Sequence, residues 1–169
     1  MKSIKRKAFF LIFPFLFLTQ SCGIYSFSGA SIPANMKTVS IQFFENNAPL
    51  VVPYLSQQFT EALKARVRDQ SRLSIVRDNG DGNFEGRITD YSIKPVAVTG
   101  NERAESTRLS ITVSVKFTNN LDNQLSFEQS FTRFKEMPGS NIQAQEASLI
   151  ADINKQLTED IFNRAFANW

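Results

Sequence analysis

Residues 109–118 read Leu-Ser-Ile-Thr-Val-Ser-Val-Lys-Phe-Thr. Leu109, Ile111, Val113, Val115 and Phe117 share one parity, while Ser110, Thr112, Ser114, Lys116 and Thr118 share the other. Successive side chains of a strand point to opposite faces, so this run is a strand with one face in a core and one in solvent. Asn119 to Gln124 is turn-forming, and Leu125, Phe127 and Phe131 begin a return strand. The pair predicts an antiparallel hairpin.

Upstream of the hairpin, Phe84 to Val98 predicts a long strand whose apolar parity slips. Phe84, Gly86 and Ile88 fall on one side, then Tyr91 and Ile93 on the other. A β-bulge near Asp90 explains the slip. Gly100 to Glu105 is a polar turn or a longer excursion, and Arg77 to Asn83 is rich in Asp, Gly and Asn, a turn composition. A calcium loop through Asp78, Asp81 and Asn83 fails on spacing, because no acidic residue closes it as an EF-hand requires.

Further back, a short strand covers Leu73 to Val76. Before it, Leu55, Phe59, Leu63 and Val67 recur every fourth residue, giving an amphipathic helix that opens after Pro53 and ends near Asp69. Val39, Ile41 and Phe43 alternate with Ser40 and Gln42 and predict a first strand with those three buried. Downstream, Ser140 or Asn141 is placed to cap a final helix whose stripe is Ala147, Ile150, Ile153, Leu157, Ile161 and Ala165, widened by Phe162 and Phe166. The expected fold is α+β: a two-layer sandwich with two helices on one face of a mostly antiparallel four- to five-stranded sheet, in the order β-α-β-β-β-β-α. One domain of residues 38–169 is expected, preceded by a tether over 22–37.

The first 21 residues are expected to lie outside that fold. Lys2, Lys5, Arg6 and Lys7 precede an unbroken apolar run from Ala8 to Leu18, and Thr19-Gln20-Ser21 leads to Cys22. This is the layout of a secretory signal, with an apolar run too short to span a bilayer as a helix. Its removal leaves 148 of the 169 residues and 15 of the 19 basic residues against 16 acidic ones. The basic balance of the whole chain is therefore a property of the signal, and no electrostatic basis for nucleic-acid binding remains.

Cys22 is the single cysteine, so no disulfide can form within the chain. Its place directly after the cleavage zone resembles the lipobox of bacterial lipoproteins. Ser21 fits the small position before the cysteine, while Thr19 and Gln20 depart from the commonest pattern. That resemblance implies lipidation at Cys22, with several acyl chains giving a stable anchor where one alone is marginal.

The chain has no histidine. With its one thiol assigned to lipid, Cys–His and Ser–His–Asp sites and the common zinc sets are excluded, and no glycine-rich phosphate loop occurs. Carboxylate pairs such as Asp78 with Asp81, or Glu159 with Asp160, sit in a turn or adjacent on a helix, where they do not converge. No enzyme activity, metal or cofactor is expected. What remains is surface. Ser110, Thr112, Ser114 and Thr118 give the hairpin a face of neutral hydroxyls, which reads either as an ordinary solvated strand face or as a wet protein interface. Arg87, Lys94, Arg103 and Arg108 lie around the same strands and their connecting turn. They are either solvated or paired with Glu102 and Glu105, or they hold phosphates or carboxylates of an acidic ligand.

The chain also resembles the LptE family of lipopolysaccharide-assembly lipoproteins in its Bacteroidetes form. The resemblance runs through Ser21-Cys22-Gly23-Ile24-Tyr25-Ser26-Phe27-Ser28-Gly29, Val39 to Ala48, Leu55 to Leu63, Val115 to Asn119, Phe127 to Phe131 and Glu159 to Ala165. It implies two helices on a sheet, no catalytic site, and a periplasm-facing position at the outer membrane. It also implies a role as plug and assembly partner of the outer-membrane β-barrel LptD in lipopolysaccharide export. Binding of lipopolysaccharide through basic residues near a strand end is a further implication, for which Arg103 and Arg108 are the nominees. The residues just after Cys22 include no acidic run, the surface-export signal of Bacteroidetes lipoproteins. Two rival readings stay open: a homo-oligomeric lipoprotein subunit of another envelope secretion channel, and a free periplasmic lipid carrier.

Overall fold

The computed structural model describes residues 32–96, 106–139 and 142–167. The expected signal, Cys22, the tether up to residue 31, Arg103 and the two capping candidates Ser140 and Asn141 lie outside them. Strands β1 (Thr38–Ile41) and β2 (Glu45–Asn46) precede helix α1 (Leu55–Gln70). Strands β3 (Ser74–Val76), β4 (Gly82–Val96), β5 (Ser106–Asn119) and β6 (Phe127–Pro138) follow, and helix α2 (Glu146–Phe166) closes the domain.

The strands make one sheet ordered β3-β1-β4-β5-β6, with β2 paired to β4. Both helices pack on one face of it, as expected. The sheet itself differs from expectation: it has six strands and is mixed. β1 runs parallel to both β3 and β4, and β2 is parallel to β4, whereas β4, β5 and β6 are antiparallel. The physical reason is connectivity. A helical crossover, α1, carries the chain back so that the next strand starts from the same end, which forces parallel pairing.

Residues 77–81 then cross the end of β1 to reach β4 on its other side. The crossing is tight. Gly80 N–H donates to Ser40 Oγ at 3.3 Å, and a Cβ at Gly80 would lie 2.6 Å from Ser40 N, so only glycine lets the two backbones meet. Ser40 is buried beneath it. Asp81 clasps the crossing: its Oδ2 accepts from Lys37 N–H at 2.8 Å and Thr38 N–H at 2.9 Å. The acidic turn thus satisfies backbone donors at the start of β1. Those two backbone bonds, with the Thr38 hydroxyl, hold the Asp81 carboxyl below its ordinary value of 3.8. A depressed carboxyl contributes stability above the unfolded value and loses it as pH falls through the folded one. Asp81→Asn is therefore expected to flatten the fall of the melting temperature below about pH 4, read by thermal unfolding between pH 3 and 7.

β5 follows the predicted alternation residue for residue. Leu109, Ile111, Val113 and Val115 are fully buried, and Phe117 is nearly so. The bulge in β4 is present, as a register shift between Ile88 and Asp90. It lets Phe84, Ile88 and then Tyr91 all face the helices. Against them lie Leu55, Phe59, Leu63 and Val67 of α1, and Ile150, Ile153, Leu157, Ile161, Phe162 and Phe166 of α2. Tyr91 donates its hydroxyl to Glu146 at 2.5 Å, tying β4 to the first turn of α2. Burial first, then that bond, raises the Tyr91 pKa well above the usual phenol range.

Three local expectations are corrected. β1 ends at Ile41, and Phe43 is 58 % exposed while Phe44 is buried. Phe44 turns inward because it fills the space above Gly86 and meets Phe59 edge-on at 5.1 Å. Its N–H donates to Thr60 Oγ1 of α1 at 3.1 Å, which fixes the turned backbone. α2 begins at Glu146 after Gln145, whose side chain makes no capping bond, and Ala147 is exposed rather than part of the buried stripe. A side chain at position 86 has no room: its Cβ would lie 2.2 Å from Ser114 O and 2.5 Å from the Phe44 ring. Overpacking of that kind costs about 3 kcal/mol, so Gly86→Ala should show a matching loss in urea unfolding.

Candidate functional site

With both helices on one side, the other side of the β4-β5-β6 sheet is bare of any helix among the described residues. β5 sits in its middle, and its even-numbered residues pair across to both neighbours. Ser110 faces Ser92 and Phe134, Thr112 faces Asp90 and Thr132, and Ser114 faces Arg87 and Ser130. The four predicted hydroxyl residues Ser110, Thr112, Ser114 and Thr118 all lie on this face and are half-buried by flanking strands.

The patch is larger than the β5 pattern alone indicates, because register adds Ser92, Ser130 and Thr132. Thr112 Oγ1 and Thr132 Oγ1 share a hydrogen bond of 2.9 Å, and Ser92 Oγ donates to Asp90 Oδ2 at 3.0 Å. Ser114 and Ser130 oppose one another without any side-chain bond among the described residues. The result is a band made mostly of hydroxyl donors and acceptors, able to bond a polar partner surface or trapped water.

Within the band the charged residues are Asp90 and Arg87 of β4, and the others gather at its two ends. At one end Lys94, Arg108 and Glu136 stand in a row across the three strands. Arg108 Nε donates to Glu136 Oε1 at 2.9 Å, and its guanidinium lies 4.3 Å from the centre of the Phe134 ring. That stacking holds a 48 %-exposed phenylalanine beneath a cation. At the other end Lys116 stands between Glu85 and Glu128, with Lys116 Nζ 3.8 Å from Glu85.

Of the nominated cations among the described residues, only two come together. Lys94 and Arg108 are cross-strand neighbours. Arg87 is opposite Ser114, six positions along β5 from Arg108 and so roughly 20 Å away at about 3.4 Å per residue. It lines a shallow groove of about 310 Å³ with Phe43, Glu45, Glu85, Lys116 and Glu128. Arg103 lies outside the described residues. Arg108 is already paired, which leaves Lys94 without an ion pair among the described residues.

The carboxylates weighed as pairs in the sequence, Asp78 with Asp81 and Glu159 with Asp160, have structural partners. Asp160 accepts two bonds from Arg133, at 2.6 and 2.7 Å, and Asp78 accepts from Gln42 at 3.2 Å. Among the described residues no group of three Cys, Asp or Glu side chains is placed to share a metal ion, and no helix is long and apolar enough to cross a membrane.

The LptE family, described as lipopolysaccharide-assembly, matches residues 36–165, a span of 130 of the 169 residues. No curated protein matches the chain. Among solved structures, the hypothetical protein CT253 from Chlamydia trachomatis shares the fold at a TM-score of 0.52. It is 12% identical, with 79% of this chain and 99% of that one covered. A minor lipoprotein from Acinetobacter baumannii is 17% identical, covering 76% of this chain and 91% of its own, with a TM-score of 0.47. The rare lipoprotein B from Shewanella oneidensis is 11% identical over 73% of this chain and 91% of that one, at a TM-score of 0.48. With a family match that takes in every strand and all but the last turn's end of α2, the chain belongs to the LptE family of lipopolysaccharide-assembly lipoproteins.

Proposed function

We propose that the protein is anchored by acyl chains on Cys22 to the periplasmic side of the outer membrane. There it plugs an LptD-type β-barrel, assists its assembly, and serves lipopolysaccharide export without catalysing a reaction. The single observation that supports this reading most is the bare hydroxyl face of β4-β5-β6, opposite the helices. A protein that only carried lipid would need an enclosed apolar cavity, whereas this face is open and lined mostly by hydroxyls. Such a surface suits a wet protein interface, in which hydroxyls bond to partner groups and to bridging water. Few charges besides Asp90 and Arg87 lie in its middle, which limits the desolvation cost of docking.

Lipopolysaccharide itself is proposed to meet the charged end of that face. Lys94 supplies an available ammonium, and Arg108 can exchange Glu136 for a phosphate, which its planar fork also fits. The test is affinity capture of the lipidated chain from detergent-solubilised outer membranes. The reading expects an LptD-like barrel in near-stoichiometric amount. Recovery of a homomeric ring, or of the lipoprotein without any barrel, would sink it.

A further inference from the structure

The sheet has two edges, and they are built differently. β6 is long, but it carries Glu128, Arg133, Lys135 and Glu136 and ends in Pro138, features that discourage strand addition. β3 carries no charge: its residues are Ser74, Ile75 and Val76. Ser74 N–H donates to Lys37 O at 2.9 Å, which sets the phase of the parallel ladder. Ser74 and Val76 therefore turn their backbone groups to β1, and Ile75 turns its N–H and C=O outward. Nothing among the described residues bonds to them.

Beside this edge runs an open groove of about 700 Å³ between β3 and α1. Leu73 and Ile75 give it an apolar floor, and Lys64, Arg68 and Arg77 line its rim. Lys64 is held by Glu61 at 2.9 Å. Arg68 has no ion pair among the described residues, and Arg77, 97% exposed, has only Asp78 at 3.8 Å. An outward backbone pair, an apolar floor and two available guanidiniums are the three contacts an extended acidic peptide needs.

We propose that the β3–α1 groove is the docking site for an extended, acidic segment of a partner protein, which adds to β3 as a further strand. Its backbone pairs with Ile75, alternate side chains lie on the apolar floor, and its carboxylates meet Arg68 and Arg77. A second copy of this chain fits poorly, because β3 paired to β3 sets two such arginine pairs against each other. The chain's own residues 22–31 contain no acidic residue to meet them. The groove lies beyond β1, away from the open face, so this proposal stands or falls apart from the barrel reading.

The experiment is fluorescence anisotropy on the full lipidated chain in detergent, with a labelled peptide of alternating Glu and Val and a counterpart of alternating Lys and Val. The Glu–Val peptide should bind at least about tenfold more tightly. Arg68→Glu combined with Arg77→Glu alters only rim side chains and should invert that preference. Ile75→Pro should abolish binding, since it removes the outward N–H and leaves the β1 ladder intact. No binding of the Glu–Val peptide overturns the proposal. So does equal binding of both peptides, an unchanged preference in the doubly reversed variant, or stronger binding by a peptide copy of residues 22–31.

Discussion

Phe117→Ala is expected to lower the free energy of unfolding by about 4 kcal/mol, the largest effect of any single truncation in this core. Phe117 is 1% exposed and holds the end of the sheet to α2. Its ring lies 4.6 Å from Phe84 of β4, 5.7 Å from Phe127 of β6 and 5.6 Å from Phe166 of α2. Phe166 in turn meets Phe84 at 5.9 Å and Phe162 at 5.1 Å.

Removing the ring therefore takes contacts from two neighbouring strands and a helix at once. Each aromatic pair adds about 0.5–1.5 kcal/mol beyond the area it buries. Collapse cannot refill the space cheaply, because the nearest backbone on one side is Gly82, whose missing Cβ would sit only 3.0 Å from the Phe117 ring. A domain of this size holds roughly 5–15 kcal/mol in all, so the variant should be marginally folded. Urea unfolding checks it, and a loss below about 1.5 kcal/mol would mean that α2 is not anchored through this cluster. Phe127→Ala, at a partly buried position, serves as the milder comparison.

Thr112→Arg combined with Ser114→Arg is expected to leave the fold intact and to cut barrel recovery at least about tenfold. Both side chains lie on the bare face, away from the helices, and surface substitutions of this kind move stability by about 0.5 kcal/mol or less. The lost bond is the 2.9 Å hydroxyl contact between Thr112 and Thr132. The gained charges stand in a band of hydroxyls, the one at position 114 beside Arg87 and the one at position 112 beside Asp90. Asp90 can offset only the guanidinium at position 112. A partner shaped for hydroxyls would then have to bury the one at position 114, beside Arg87, without a counter-charge, and an unpaired buried charge costs several kcal/mol. Ala151→Arg, on the exposed side of α2, is the control and should leave recovery unchanged. Equal loss in both variants would point to general surface charge, and no loss in either would remove the open face from the interface.

Much of this fold is legible in the sequence because period and burial coincide. The alternation over 109–118 sets β5, and a parity change between Ile88 and Tyr91 places the bulge within a residue. The four-residue recurrence from Leu55 to Val67 gives the buried face of α1. What escapes is information held by the partner rather than by the strand. Val39, Ile41 and Phe43 alternate convincingly, yet Phe44 is the buried one, because Gly86 of a distant strand leaves it a berth. Parallel pairing of β1 with β3 and β4 follows from the chain's path through α1 and the crossing at Gly80, which local pattern does not encode.

The candidate site divides the same way. Its β5 hydroxyls are readable as one parity of a strand, whereas Ser92, Ser130 and Thr132 join them only through register. Arg108 looks like an available cation in sequence. Glu136 and Phe134, 28 and 26 residues further on, take it up in the fold. No local signal marks that pairing.

The central claim, that the hydroxyl face of β5 is the surface set against an LptD-type barrel, is tested most directly by site-specific photo-crosslinking in intact outer membranes. A photoreactive residue is placed at position 114 on the bare face, or at position 151 on the exposed side of α2. The account predicts an adduct of this chain with a large outer-membrane barrel from position 114 and little from position 151. A barrel adduct from position 151 alone, or adducts only between copies of this chain, would contradict it.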